Sequence, residues 1–366
     1  MRKCNTQSPS SSVIEAIEHY LSNAGSEPVS KMQFSGTGAV ADLEDKLRRH
    51  YGMRYALCVS NATSGLLGLA LAIELREAEF VTTPYSYGAS LAGWLLLGNR
   101  PRFADIDSHD LGLNPDAVVR AITPTTRALL SVDIFGIPSD SRALRKLADE
   151  FGIWYVADAA QSLGSRRDGL PGGGLADAIV VSFTTGKTVF AGEGGAILTN
   201  HSELYEKLLW HTQHPERQRR ELSLALWNEF AVNARIHPIA AVWASAAFEA
   251  SLDVLNERRK WCCEVIDLLN ACGKVELIEF RKRDIAPSFF RLTASWKAEP
   301  HPAELCNWLL ANGISARIEP SPVRLIYQQP AFQVQYELAE GPCCPTAERQ
   351  ERTRFCIVPD DQLGES

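Results

Sequence analysis

The chain has 366 residues, 45% of them hydrophobic and 22% charged, the balance of a folded protein and not of a disordered one. At roughly 100–200 residues per domain, that length predicts two or three globular units around a large core. With 37 Lys and Arg against 44 Asp and Glu, the formal charge of −7 argues against a nucleic-acid binder held by a net positive field. The longest apolar runs, 66–73 and 91–97, fall short of the ~20 residues a bilayer span needs. No apolar stretch follows the basic residues at the amino terminus, so the expectation is a cytoplasmic protein without a signal or a membrane helix. The nine cysteines include two adjacent pairs, Cys262-Cys263 and Cys343-Cys344, and no C-x2-C spacing. They read as reduced thiols, and no metal is expected.

Taken in chain order, a helix at 40–50 precedes a region where short β-branched or aliphatic runs alternate with helical patterns. The strands are expected at 55–59, 80–83, 102–104, 128–134, 153–157, 178–183 and 196–199. Helices fall between them at 64–75, 114–121 and 141–151, the last opened by the capping signal Pro138-Ser139-Asp140. This alternation predicts an α/β fold built on a mainly parallel seven-stranded sheet. Residues 236–255 then run on into 258–271 as one long, bent helical stretch linking two domains. Beyond it, strands at 276–280, 288–295 and 315–318 and a helix at 303–311, stopped by Asn312-Gly313, predict a smaller α+β unit. The expected division is an N-terminal segment, 1–30, packing on the small domain, a large domain, 31–250, and a small C-terminal domain, 251–366.

Three segments carry chemistry. Ala157-Asp158-Ala159-Ala160-Gln161 follows an apolar strand and sets a carboxylate at its carboxyl end, where open α/β sheets bind ligands; the competing reading is an Asp capping the next helix. Ser182-Phe183-Thr184-Thr185-Gly186-Lys187, with Gly192-Glu193-Gly194-Gly195 behind it, offers a lysine among hydroxyls and a glycine-rich turn, either a nucleophile and phosphate ligand or a solvated surface lysine. Val181 stands where a Walker loop needs its first glycine. Ser60-Asn61-Ala62-Thr63-Ser64-Gly65 joins a strand to a helix and presents free N–H groups to an anion. A phosphate cradle, a carboxylate and a lysine together suit pyridoxal 5'-phosphate (PLP), which needs one of each.

The order and wording of these segments resemble the DegT/DnrJ/EryC1/StrS aminotransferases from about Phe34 to Ala250. The resemblance rests on Asn61-Ala62-Thr63, Pro84-Tyr85-Ser86-Tyr87, Phe103-Ala104-Asp105-Ile106-Asp107, Asp158-Ala159-Ala160-Gln161, Ser182 to Lys187, Gly192-Glu193-Gly194-Gly195 and Asn233-Ala234-Arg235. It implies a fold-type-I PLP-transferase, a three-layer sandwich with a smaller α+β C-terminal domain. By that resemblance Lys187 forms the Schiff base and shuttles a proton, and Asp158 pairs with the pyridinium nitrogen. Ala62, Thr63 and Ser182 hold the phosphate, Gln161 meets the ring hydroxyl, and Tyr87 stacks on the ring unless it is a core tyrosine. Asn233 reaches the phosphate from the partner subunit, which makes the enzyme a homodimer with shared sites.

The implied reaction moves an amino group from glutamate or glutamine to a keto or aldehyde carbon of a sugar-nucleotide, a cyclitol or a secondary-metabolite precursor. A PLP lyase, dehydratase or cyclase on the same scaffold is one alternative, and a non-catalytic binding or regulatory protein is another. The chain departs from the family on the substrate side: Asp133 stands in place of His or Asn, and 318–324 lacks the usual tyrosine and histidine. Ser35-Gly36-Thr37-Gly38 lacks the strand and third glycine of a dinucleotide fingerprint. Arg217, Arg219 and Arg220 read first as a solvated mobile loop and second as a clamp for an acidic substrate. Arg235 and Arg324 join them as cations an acidic chain could turn toward anionic ligands.

Overall fold

A computed structural model describes residues 10–23, 34–222, 226–336 and 343–360. The large unit is organised by β1 (Tyr55–Val59), β2 (Glu79–Thr82), β3 (Arg100–Phe103), β4 (Thr126–Val132), β5 (Trp154–Asp158), β8 (Ala178–Ser182) and β9 (Gly195–Thr199), with the two-residue strands β6 (Arg166–Arg167) and β7 (Leu170–Pro171) outside the main sheet. The order is β1-β9-β8-β5-β4-β2-β3, parallel throughout except that β9 runs antiparallel to both of its neighbours. Alternate side chains feed two cores. Leu57, Leu130 and Val180 face Leu66, Leu69 and Leu208 on one side, while Cys58, Leu129 and Val181 face Leu43, Leu47, Leu144 and Phe248 on the other. These are the layers of a sandwich, helices over both faces of a buried sheet.

All seven expected strands are present, displaced by no more than two residues at their ends. The stretch expected from 236 to 271 is one unbroken helix, Pro238–Cys272, with Pro only at its first position and Gly273 in the left-handed conformation closing it. No glycine or further proline interrupts it. Its Ala241, Ala244 and Phe248 belong to the large unit's core and its Cys262, Val265 and Leu269 to the small unit's core. By length and composition alone this helix is apolar enough to cross a bilayer, with mean hydropathy 1.3 over 18 residues; the buried residues just named give it protein partners instead. Of the N-terminal segment, helix Ser11–Asn23 lies against it. Cys4 lies outside the described residues, and no disulfide joins the other eight cysteines.

The small unit differs most from expectation. Its sheet runs β10 (Val275–Glu276), β12 (Leu292–Trp296), β14 (Arg354–Pro359) and β13 (Ala316–Pro320), all antiparallel, with β11 (Ile285–Ala286) pairing instead with β6. The strand expected at 276–280 stops at Glu276, and a 3-10 turn, Arg281–Arg283, follows. Sequence reading missed β14 and helix Pro345–Thr353 altogether, yet β14 lies inside the sheet between β12 and β13. Its Phe355 and Ile357 enter the core with Leu292, Ala294 and Trp296, so Arg354 and Cys356 point to the opposite face.

Candidate active site

The carboxyl ends of β1, β2, β5 and β8 lie along one edge of the sheet, and every residue singled out for the cofactor on those strands or their following loops stands there. After β1, Asn61 caps helix Ala62–Ala72: its Oδ1 accepts from the Ser64 N–H at 2.8 Å, while the Ser64 hydroxyl accepts from the Asn61 N–H at 3.3 Å. That capping box satisfies Ser64 and leaves the N–H groups of Ala62 and Thr63 at the helix start for a ligand. Gly195 permits the close approach here, because a Cβ on it would sit 2.8 Å from the Ala62 nitrogen and 2.7 Å from the Val181 oxygen.

Asp158 closes β5, buried. Its Oδ1 accepts from the Ala160 N–H at 3.0 Å, and the Ser90 hydroxyl also bonds it. Burial raises its pKa, and Ser90, Ala160 and the charge of Lys187 pull it back down. Lys187 is half-buried in the loop after β8, its Nζ 4.3 Å above the Phe290 ring centre. Desolvation depresses its amine, Asp158 opposes that shift, and Arg291 adds to it. The surface-lysine reading of Lys187 is therefore wrong for this chain. Asp158 does bond one N–H of the next turn, as a capping Asp would, but it stands within the field of the lysine as well.

Ser182 is buried, its hydroxyl 2.9 Å from that of Thr184. Gln161 accepts from the Phe135 N–H at 2.7 Å, which fixes its carbonyl end and leaves its amide nitrogen without a partner among the described residues. Tyr87 is 73% exposed, which excludes the core-tyrosine reading. Its neighbour Tyr85 is the buried one, against Phe135 at 6.2 Å. Asn233 is exposed with a left-handed φ of 51°, and Ala234 beside it accepts from the Ser60 N–H at 3.1 Å, which moors this segment beside the cap of the cradle helix.

The arginine cluster requires a correction. Arg217 is neither on a solvated loop nor free to clamp a substrate: it is 1% exposed, forked onto Glu44 at 2.9 and 3.0 Å and bonded to Glu221 at 2.9 Å. Glu44 also accepts from the Cys58 N–H at 2.8 Å, so the pair ties helix Pro215–Leu222 to β1. Gly36, with φ 66°, packs on the guanidinium, where a Cβ would come within 2.6 Å, which gives Ser35-Gly36-Thr37-Gly38 a structural reason. Arg220 pairs with Glu221, Arg219 lies 4.5 Å over Trp227, and Arg235 lies 4.9 Å over Phe34.

Sequence reading missed Ser90, Phe290, Arg291 and Asp133's burial. Ser90 comes from helix Ala89–Leu95, with Ser86 as a hydroxyl neighbour at 3.0 Å, and no motif announces it. Asp133 accepts from the Ser139 N–H at 2.8 Å and the Ser162 hydroxyl at 2.7 Å, and burial pushes its carboxyl up to about 6.

A family model described as the DegT/DnrJ/EryC1/StrS aminotransferase family matches residues 26–359. The chain is 33% identical over 182 residues to UDP-2-acetamido-2-deoxy-3-oxo-D-glucuronate aminotransferase of Pseudomonas aeruginosa, a stretch covering 49% of this chain and 51% of that enzyme. It is 26% identical over 281 residues to GDP-perosamine synthase of Escherichia coli O157:H7, 76% of this chain and 75% of that one. It therefore spans about half the length of the first relative and three quarters of the second. Among solved structures, a sugar aminotransferase from Micromonospora echinospora superimposes with a TM-score of 0.80 at 22% identity, covering 100% of this chain and 96% of that one. DesI, solved with its TDP-sugar product, superimposes with a TM-score of 0.78 at 25% identity, covering 98% and 87%.

Proposed function

Because the chain belongs to the DegT/DnrJ/EryC1/StrS aminotransferase family, whose members depend on PLP, we propose that it is a PLP-dependent aminotransferase. It moves an amino group from an amino-acid donor, glutamate or glutamine, to a keto or aldehyde carbon of a sugar-nucleotide, a cyclitol or a secondary-metabolite precursor. The observation that carries this reading is Lys187, a desolvated amine whose pKa is depressed beside the buried carboxylate of Asp158 at the sheet's ligand-binding edge.

The donor set fits the cofactor. The open N–H groups of Ala62 and Thr63 and the hydroxyl of Ser182 suit a phosphate, the carboxylate of Asp158 suits a protonated ring nitrogen, and the unpartnered amide of Gln161 suits the ring hydroxyl. Tyr87, largely exposed at the turn after β2, suits the ring face. Bound there, PLP supplies an electron sink for the carbon that loses its proton.

The chain's own residues set the conditions for that loss. Desolvation favours the neutral form of the Lys187 amine, the form that can take a proton from the substrate carbon and return it to a neighbouring atom. Ser90 and Ala160 bond the Asp158 carboxyl and counter part of the rise that burial imposes, and its charged form would keep the ring nitrogen protonated. Asn233, held outward beside the cradle, acts on the phosphate across a two-fold interface, so the working form is a homodimer with shared sites.

Mixing the PLP-loaded protein with L-glutamate tests the reading. The expected result is conversion of the bound cofactor to its amine form, seen as a shift of its visible absorption, with release of 2-oxoglutarate. No conversion with glutamate, glutamine or any other common donor rejects transamination and leaves the lyase, dehydratase or cyclase alternative. Light scattering that finds only monomer rejects the shared site.

A further inference from the structure

We infer that the cleft between residues 320–328 and helix Pro345–Thr353 is a subsite for an oxyanion carried by a substrate, with Arg324, Arg352 and Arg354 as its ligands. The cleft has a volume of about 520 Å³, and its lining includes these three guanidiniums, the Ser321 hydroxyl and a single carboxylate, Glu351. Three positive groups against one negative leave the lining at +2, on a chain whose total is −7. Glu351 is already engaged, accepting from the Leu325 N–H at 3.0 Å. None of the three arginines forms an ion pair among the described residues.

Arg354 is the informative member. It is 4% exposed, and its guanidinium bonds only neutral oxygens, Gln350 Oε1 at 2.9 Å and Thr293 Oγ1 at 3.0 Å. Burying a guanidinium without a counter-ion is costly, and burial does pull its pKa down. Such a cost is tolerated where an anion arrives to offset it, and a guanidinium with free N–H groups beside a cavity suits a bidentate oxyanion.

The 320–328 wall of the cleft is hydrogen-bonded to the loop after β2, at the sheet's ligand-binding edge. Cys356, two residues along β14 on the same face as Arg354, bonds Arg291, and the Arg291 charge reaches Lys187. The thiol itself is pushed up to about 11, so it is neutral near pH 7 and provides Arg291 with no counter-charge. On the other wall, Ile326 donates to the Pro84 oxygen at 3.0 Å, three residues from Tyr87. A substrate that reached from Lys187 past Arg291 into the cleft would meet cations at both ends. Two sources carry the required chemistry, the diphosphate of a nucleotide-linked acceptor and the distal carboxylate of the donor. The identification of the ligand as a substrate rests on the aminotransferase reading; the binding of an oxyanion does not.

Inorganic pyrophosphate is the probe, titrated by calorimetry into the PLP-loaded protein. Arg324 and Arg352 are exposed, so R324Q/R352Q keeps the fold and is expected to weaken pyrophosphate binding by at least about tenfold, while R324K/R352K recovers most of it. R354Q, checked by circular dichroism for folding, is expected to lose more. Equal affinity in wild type and R324Q/R352Q, or no binding to wild type, overturns the subsite. Stopped-flow measurements then separate the sources. Pyrophosphate that slows amine return to a nucleotide-linked keto-sugar assigns the subsite to the acceptor's diphosphate, pyrophosphate that slows the glutamate half-reaction assigns it to the donor, and an effect on neither overturns the link to the substrate. A wild type that converts no donor yet binds pyrophosphate rejects the aminotransferase reading and keeps the oxyanion site.

Discussion

The large and small units treat buried charge in opposite ways. In the large unit Arg217 meets Glu44 and Glu221, and Arg167, also buried, meets Asp110 at 2.7 Å and Asp140 at 3.2 Å. In the small unit Arg354 is buried against neutral oxygens, and Arg324 and Arg352 line the same cleft unpaired. A buried ion pair with its hydrogen bonds complete ties elements together and has no capacity left for a ligand. A buried cation with its counter-charge missing is a structural cost that a bound anion removes. Lys187 lies at the border, paired with neither pattern: its amine is desolvated, balanced between the attraction of Asp158 and the repulsion of Arg291.

The sharpest way to break this contrast is at that border. Lys187→Ala is expected to reduce turnover by on the order of 10³-fold or more and to abolish the bound cofactor's visible band while leaving the unfolding transition in place. A variant that kept both its band and its rate would remove the reactive amine from the border between the units.

Next in size is the ion pair. Glu44→Ala strands the Arg217 charge with half its partners gone and leaves the Cys58 N–H without its acceptor, so a loss of about 3–5 kcal/mol in urea unfolding is expected. Arg354→Gln removes a charge that has no counter-ion and is expected to cost far less than Glu44→Ala. Equal losses would mean that the two arginines do the same structural work.

Asp133 is the large unit's exception, a buried carboxyl bonded by Ser139 and Ser162 with no cation paired to it among the described residues. Its pKa is raised from 3.8 to about 6, so the folded chain holds this proton more tightly than the unfolded chain does. The associated stability is complete below pH 3.8 and is lost as pH rises through about 6, a change on the order of 3 kcal/mol at most. Asp158, Tyr51 and Tyr155 share its surroundings, so the variant and the wild type are compared at each pH. Urea midpoints measured from pH 4.5 to 7.5 are expected to fall more steeply with pH in the wild type than in Asp133→Asn. Parallel slopes would show that the carboxyl ionises as freely as in an exposed site.

What could be read from the sequence followed the same division. The large sheet was legible because its inner strands are apolar on both faces, Ala-Ile-Val-Val at 178–181 for example, bounded by polar turns. Asp158, Ser182 and Lys187 were legible because each sits at a fixed offset from such a run. β14 was not, because its alternation Arg-Phe-Cys-Ile places one charged and one weakly polar residue among apolar ones, and its partners β12 and β13 lie at least 34 residues away in the chain. Arg217 misled for the related reason that a counter-ion 173 residues distant is invisible in a local pattern of alternating Arg and Glu. Periodicity reports which face is buried; it does not report which charges find each other.

The smallest expected effect is at Tyr87, and it decides whether the seam between the two units is built for packing or for a ligand. Tyr87 lies in the turn after β2, between Pro84, which accepts from the Ile326 N–H, and Gly88, near the Gln329 side chain. A ring packed into that seam would be covered on both sides, yet this one is 73% exposed. Stacking on a flat, electron-poor cofactor contributes on the order of 0.5–1.5 kcal/mol, so Tyr87→Ala is expected to weaken PLP retention by about three- to tenfold. Tyr87→Phe keeps the ring face and is expected to retain the cofactor as the wild type does. Since the ring buries little in the protein alone, the thermal midpoint of the cofactor-free protein should be unchanged in both variants. A fall of several degrees in cofactor-free Tyr87→Ala would instead make the ring a structural contact across the seam, and the open face between the units would lose its reading as a place held for substrate and cofactor.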